Sequence, residues 1–236
     1  MATVESEAAA PATAECVPEL CAGDRLTRAE FERRYAAMPH VKKAELIEGV
    51  VYMPSPVTHR KHGKPHFNVN IWLGNYSVAT PGVEGSENAT LRLDLDNEPQ
   101  PDTFLRIEPD LGGQSWDDGD YVGGAPELIV EIAASSASYD LHDKLRAYQR
   151  NGVREYVVWR VSDRAIDWFV LREDHFERLP LNSGGLYQSE VFPGLWLDPA
   201  ALVRGGMACV MEVLQQGLAS PEHAEFTARL RAASSQ

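Results

Sequence analysis

Cysteine is scarce in this chain: Cys16, Cys21 and Cys209 are all there is, an odd number with no CxxC pair. That count excludes an even disulfide framework and leaves reduced thiols in a cytoplasmic protein as the plain expectation. Long apolar runs are missing as well. None approaches the ~20 residues that a membrane-spanning helix requires, so no membrane partner is expected. The stretch from Met1 to Ala22 has neither a basic start nor an apolar segment behind it, so it does not read as a secretion signal. Its Ala, Glu, Thr and Pro instead mark residues 1–24 as a disordered leader. Positive charge is short too: 22 Lys and Arg stand against 35 Asp and Glu, a net charge of −13 at pH 7. Such a balance works against sequence-independent attraction to a phosphate backbone. Also absent are a GxSxG elbow, a GxxxxGKS/T loop, a GxGxxG after a strand and any internal repeat. These absences remove the usual serine hydrolase, P-loop and dinucleotide-binding readings.

What is present suits a soluble globular protein: 44% of residues are hydrophobic and 24% charged. At this length the chain can bury one substantial core. Thr27-Arg28-Ala29-Glu30 has the form of a capping box and opens a helix towards Met38, which Pro39 ends. Residues 45–53 read as a strand or a hairpin turning at Glu48-Gly49. Phe67, Val69, Ile71, Trp72 and Leu73 suit a helix between His59 and Tyr76, with Gly63 and Pro65 weakening its first turn. Leu91 to Leu95 alternates with period two, and Gln100 to Leu105 is expected to pair back on it antiparallel. Residues 108–125 read as a loop. Glu127 to Ala134 is a short apolar run, as in a strand covered on both faces. Ser135, Ser136 and Ser138 can cap the helix that follows to Asn151, with Gly152 as its stop. Arg154 to Val161 and Ala165 to Leu171 are further strands. Strand, helix and strand between 127 and 161 make a crossover unit, so the class is α/β or mixed α+β.

The chemistry centres on Glu131. An ionised carboxylate in the middle of an apolar strand costs several kcal/mol unless it is paired or bound to a metal. The bland reading is a neighbouring Lys or Arg that satisfies it. Asp102, after a proline at a strand start, could be simple turn chemistry. Two carboxylates on two strands can also converge on one oxygen-rich site, which suits Mg2+ or Mn2+ better than Zn2+. Lys144 lies on the helix after the Glu131 strand, four residues beyond Asp140. The pair reads either as an exposed salt bridge or as a lysine reaching back to the metal site, with Leu141, Leu145 and Tyr148 facing the sheet. Glu45 could add a carboxylate or be an exposed strand-start residue. His59, His62 and His66 have a spacing that could make a zinc face, but Gly63 and Pro65 interrupt the helix it needs, and no fourth ligand is near in sequence. A milder expectation is that His59 or Lys61 touches phosphate, since residues 59–64 form the one clearly basic stretch.

The ordered set Glu45-Leu46-Ile47-Glu48-Gly49, Gln100-Pro101-Asp102, Pro126 to Glu131, then Asp140, Lys144, Tyr148 and Gly152 to Tyr156 resembles the Uma-two family of putative restriction endonucleases. The likeness spans about residues 25–180. The family belongs to the PD-(D/E)XK nuclease superfamily, so the resemblance implies a restriction-endonuclease-like core: a central mixed sheet flanked by helices, with divalent metal at one sheet end. It implies Asp102 and Glu131 as metal-holding acids, Glu45 as the early acid, and Lys144 in place of the lysine usually found two residues after the second acid, where this chain has Ala133. Two segments depart from the family pattern: Ala133-Ala134-Ser135-Ser136, and Arg160-Val161-Ser162-Asp163.

The expected function is metal-dependent hydrolysis of phosphodiester bonds in nucleic acid, DNA before RNA, with catalytic Asp102, Glu131 and Lys144, metal ligands Asp102, Glu131 and Glu45, and substrate contacts at His59, Lys61 and Asp140. A homodimer is attractive because cutting two strands needs two sites. The competing expectations are a catalytically silent binding or assembly module that keeps the fold, and a hydrolase of a small phosphoester. The expected division is a nuclease-like domain over 25–195 and a helical C-terminal extension over 196–236.

Overall fold

A computed structural model describes residues 17–54, 56–134 and 140–234. Helix α1 (Arg28–Ala36) is followed by a tight hairpin of β1 (Glu45–Ile47) and β2 (Val50–Tyr52). The hairpin turns where the sequence suggests, at Glu48 and Gly49, both with positive φ (53° and 71°). Two such residues in succession are what a two-residue hairpin turn needs to match strand twist. A wide helical turn over His59–Gly63 then runs directly into α2 (Lys64–Ala79). Strands β3 (Val83–Glu87), β4 (Leu91–Arg92) and β5 (Thr103–Ile107) come next, then a small hairpin of β6 (Trp116–Asp118) and β7 (Tyr121–Gly123). The apolar run forms β8 (Leu128–Ala133). A second wide turn, Asp140–Lys144, leads into α3 (Leu145–Arg150). Strands β9 (Glu155–Arg160), β10 (Ala165–Arg172) and β11 (His175–Arg178) complete the main sheet. A short pair, β12 (Tyr187–Gln188) and β13 (Trp196–Leu197), precedes helices α4 (Pro199–Arg204), α5 (Met207–Leu218) and α6 (Pro221–Ala233).

The central sheet has the order β11-β10-β9-β8-β5-β3. Only β8 and β9 run parallel; every other neighbour is antiparallel. The fold is therefore mixed α/β with a central mixed sheet flanked by helices, as the sequence indicates. The parallel pair is the crossover unit, with α3 covering the step between its strands.

Each sheet face carries its own apolar layer because side chains alternate along a strand. Leu128, Val130 and Ile132 of β8 point to the face covered by Val69, Trp72, Leu73 and Tyr76 of α2. Val210, Leu214, Phe226 and Leu230 of the C-terminal helices join that same layer. Ile129 and Ala133 point the other way, into a layer closed by Tyr148, with Leu141 and Leu145 packed against it. A third, smaller cluster of Leu20, Phe31, Met38, Ala44, Leu46 and Val51 supports the first hairpin.

Three local expectations are corrected. Residues 91–95 do not pair with 100–105: β4 is two residues long and runs parallel to β7, while β5 pairs with β3 and β8. Strand β3, which carries little apolar signal, takes the edge instead. Residues 108–125 hold the β6–β7 hairpin rather than a plain loop. The third concerns Gly63 and Pro65, which do not break the helix. The amides of His62 and Gly63 both reach Thr58 O, at 3.0 and 3.1 Å, and the amide of Lys64 reaches His59 O. These widened bonds carry the chain up to Pro65, which occupies the first turn of α2, where a missing N–H costs little. The serines expected to cap the helix after β8 lie outside the described residues.

Candidate active site

Asp102 and Glu131 meet at one end of the sheet. The β5–β8 ladder pairs Thr103 with Val130, Phe104 with Ile129 and Leu105 with Leu128. One step beyond its last rung, Asp102 falls opposite Glu131. There the backbone pairing stops, and the Asp102 carboxylate takes over: its Oδ2 accepts the Ile132 amide at 2.7 Å. Residues directly opposite in an antiparallel pair have Cβ atoms about 4.5–5.5 Å apart. Alternation puts Asp102 on the same face as Phe104, and Glu131 on the same face as Ile129, both towards α3.

Lys144 answers the question of what justifies Glu131. Its Nζ lies 2.7 Å from Glu131 Oε1 and 2.9 Å from Glu45 Oε1. The three side chains are only 3%, 5% and 5% exposed. Tyr148 OH donates to the same Glu131 oxygen at 3.0 Å, and the Gln100 amide donates to Glu45 Oε1 at 2.8 Å. Burial, with Glu131 beside it, pushes the Tyr148 phenol well above its ordinary pKa, so it remains a donor. Lys144 thus points inward rather than forming an exposed pair. It ties β8 to β1, and Glu45 is a buried partner of the lysine rather than an exposed strand start. The side chain of Asp140 lies outside the described residues.

On the other side of Asp102 stand two histidines. His62 Nε2 is 3.0 Å from Asp102 Oδ1, and His66 Nε2 is 2.8 Å from the Asp102 carbonyl and 3.1 Å from Thr103 Oγ1. The Asp102 carboxyl is buried, which by itself raises its pKa. His62 first, then the Ile132 amide and the Lys43 ammonium, outweigh burial and hold the carboxyl down at about 2. The ligand atoms of His62, His66 and Asp102 all lie within 4.8 Å of one another. The sequence spacing flagged these histidines, but His59 is not part of the group. The partner that completes it, Asp102, is 40 residues away and invisible to local spacing. The i,i+4 step from His62 to His66 was the available signal.

The wide turn that carries His62 also carries His59, Arg60 and Lys61, and Lys64 follows at the start of α2, all exposed. Among the described residues none of the three cations Arg60, Lys61 and Lys64 has an ion-pair partner. By contrast Arg92, Arg106, Arg150, Arg160 and Arg178 are all paired. The net charge of −13 is therefore unevenly distributed, with a basic stretch at this turn.

Among the described residues the group of possible ligand atoms that converges within 4.8 Å is His62, His66 and Asp102, while Glu131 and Glu45 share the Lys144 ammonium.

A family model, Uma2, described as "Putative restriction endonuclease", matches residues 28–200. That span contains Glu45, Asp102, Glu131 and Lys144. A putative nuclease belonging to DUF820 from Anabaena variabilis is similar in structure, with a TM-score of 0.51 at 13% identity. The match covers 72% of this chain and 97% of that one, and at such identity it speaks for the fold alone. A search of curated proteins finds no match. Among the described residues no helix is long and apolar enough to cross a membrane.

Proposed function

The chain belongs to the Uma2 family, described as putative restriction endonucleases, and from that premise we propose that it hydrolyses phosphodiester bonds of DNA with a bound Mg2+ or Mn2+. The observation that carries this reading is the buried Glu131–Lys144–Glu45 arrangement beside Asp102, at 2.7 and 2.9 Å. Burying three charges is a poor way to gain stability, because desolvation offsets most of the attraction. A functional demand on those charges is the better account.

Asp102 and Glu131 hold the ion in this reading. When bound, such an ion polarises a phosphoryl oxygen and acidifies its own water. Lys144 fixes the Glu131 carboxylate through one oxygen and keeps a positive charge next to the place where the scissile phosphate binds. Glu45 holds the ammonium from the far side, and Tyr148 adds a second donor to Glu131, so the carboxylate cannot rotate freely. His59 and Lys61, with Arg60 and Lys64, contact phosphates along the substrate and set its register without reading bases. A homodimer would bring two such sites to the two strands of a duplex.

Calorimetric titration of Mn2+ and Mg2+ into the full chain tests this, with Asp102→Asn and Glu131→Gln checked for folding by circular dichroism. Wild type binds and the two variants bind weakly or not at all; metal-dependent cleavage of duplex DNA follows the same order. Folded wild type that binds no metal even with added oligonucleotide would leave a binding module with a nuclease fold.

A further inference from the structure

The imidazoles of His62 and His66 have no part in that carboxylate–lysine set, yet both aim at it. We infer that His62, His66 and Asp102 form a site for one divalent ion of the Mn–Co–Ni–Zn series, bound through two imidazole nitrogens and one carboxylate.

The helix supplies the geometry. Residues four apart lie one turn above each other on one face, and the two rings stand edge to face with centroids 5.6 Å apart. Both direct Nε2 towards Asp102, and the three donor atoms lie within 4.8 Å of one another. A single tether between α2 and β5 would need one histidine. Here two are spent on one residue, and the side chains are only 16%, 12% and 7% exposed for His62, His66 and Asp102.

The surroundings resemble those of a supported metal site. Thr103 Oγ1, 3.1 Å from His66 Nε2, donates to Asn70 Oδ1 at 2.5 Å, and the Asn70 amide donates in turn to the Glu87 carboxylate. Such outer hydrogen bonds orient ligands. Glu87 Oε2 is 3.7 Å from His66 Nε2, within reach as a further donor, and more than half exposed.

Donor chemistry selects the ion. Imidazole nitrogen suits Zn2+, Ni2+, Co2+ and Mn2+, whereas Mg2+ prefers oxygen alone. Binding an ion would use the Nε2 lone pair of each ring. Asp102 is the one residue shared with the proposed nuclease set, so the test must read the ion rather than cleavage.

The experiment is a Co2+ titration of the full chain followed by visible d–d absorption, which reports the ligand field and geometry around the ion. Wild type and His59→Ala bind one Co2+ per chain with the same spectrum. His66→Gln keeps a donor for the Asp102 carbonyl but offers no imidazole; it and His62→Ala lose about 10-fold or more in affinity. Glu131→Gln retains the cobalt band, including where it abolishes Mg2+ binding. The proposal is overturned if wild type shows no cobalt band, or if folded His62→Ala and His66→Gln bind Co2+ as wild type does. It is equally overturned if the band vanishes in Glu131→Gln and survives in His66→Gln, which would assign the ion to the carboxylates alone. Cobalt binding without DNA cleavage would count against the nuclease reading and leave this site standing.

Discussion

Replacing Lys144 with methionine tests the centre of the site through stability alone. The side chain keeps its length and loses its charge. In the native protein the ammonium sits 2.7 Å from one carboxylate and 2.9 Å from another, each 5% exposed. Removing it leaves Glu131 and Glu45 as two buried like charges without the ammonium they share. Breaking a buried ion pair from one side costs about 3–5 kcal/mol. A chain of this size loses about 2–4 °C of Tm per kcal/mol, so Lys144→Met should melt roughly 6–20 °C below wild type at pH 7.5. Adding Glu45→Gln to Lys144→Met should recover part of the loss, because one of the two like charges is gone. Thermal unfolding followed by circular dichroism at pH 7.5 reads both. A single variant that melts within 1 or 2 °C of wild type (~1 kcal/mol or less) would refute the claim that these three charges hold one another.

Other expectations reach beyond the site. Burial lifts the Glu155 carboxyl to about 7, although Ser189 Oγ and the amides of Glu190 and Val191 all donate to it. Its folded value lies above the unfolded 4.5, so the stability it contributes is full below pH 4.5 and lost as the pH rises through 7. Glu155→Gln should remove roughly 3 kcal/mol of that pH dependence, seen as a flatter Tm profile between pH 4.5 and 7.5. Gly217→Ala in α5 should destabilise by about 1–3 kcal/mol in chemical denaturation, against the usual helix preference for alanine. A Cβ there would overlap the Gly194 carbonyl oxygen and press on the Trp196 ring. Arg60→Glu with Lys61→Glu and Lys64→Glu should weaken DNA binding for every sequence and lower the salt slope by about 2–3, measured by fluorescence anisotropy at several salt concentrations.

The parts of this architecture that were legible in the sequence are those whose pattern is set by burial on both sides. The run from Leu128 to Ala133 and the strand from Glu155 to Arg160 could be read because continuous apolar strands with a helix between them have one chiral solution. The Glu48-Gly49 turn was legible because its backbone demands are local. Strand β3 was not, because Val83 to Glu87 is an edge strand with one buried side chain and polar neighbours. The sequence could give Asp102, Glu131 and Lys144 as candidates, but Lys144 could equally have faced solvent. The wide turn at Asp140–Lys144 precedes α3, and what its lysine meets is decided by β1, about 100 residues earlier. The histidine group was only partly legible for a similar reason. Pro65 looked like a break, whereas a widened turn before it keeps His62 and His66 on one face, and their common partner comes from another strand.

The most direct test of the nuclease reading is single-turnover cleavage of duplex DNA by the full chain with Mn2+ or Mg2+, wild type beside Glu131→Gln. Cleavage that requires the ion and falls at least ~100-fold in the folded variant, a loss of about 2.7 kcal/mol in transition-state stabilisation, is the predicted result. Equal cleavage by both proteins, or none by folded, metal-bound wild type on any duplex, would contradict it.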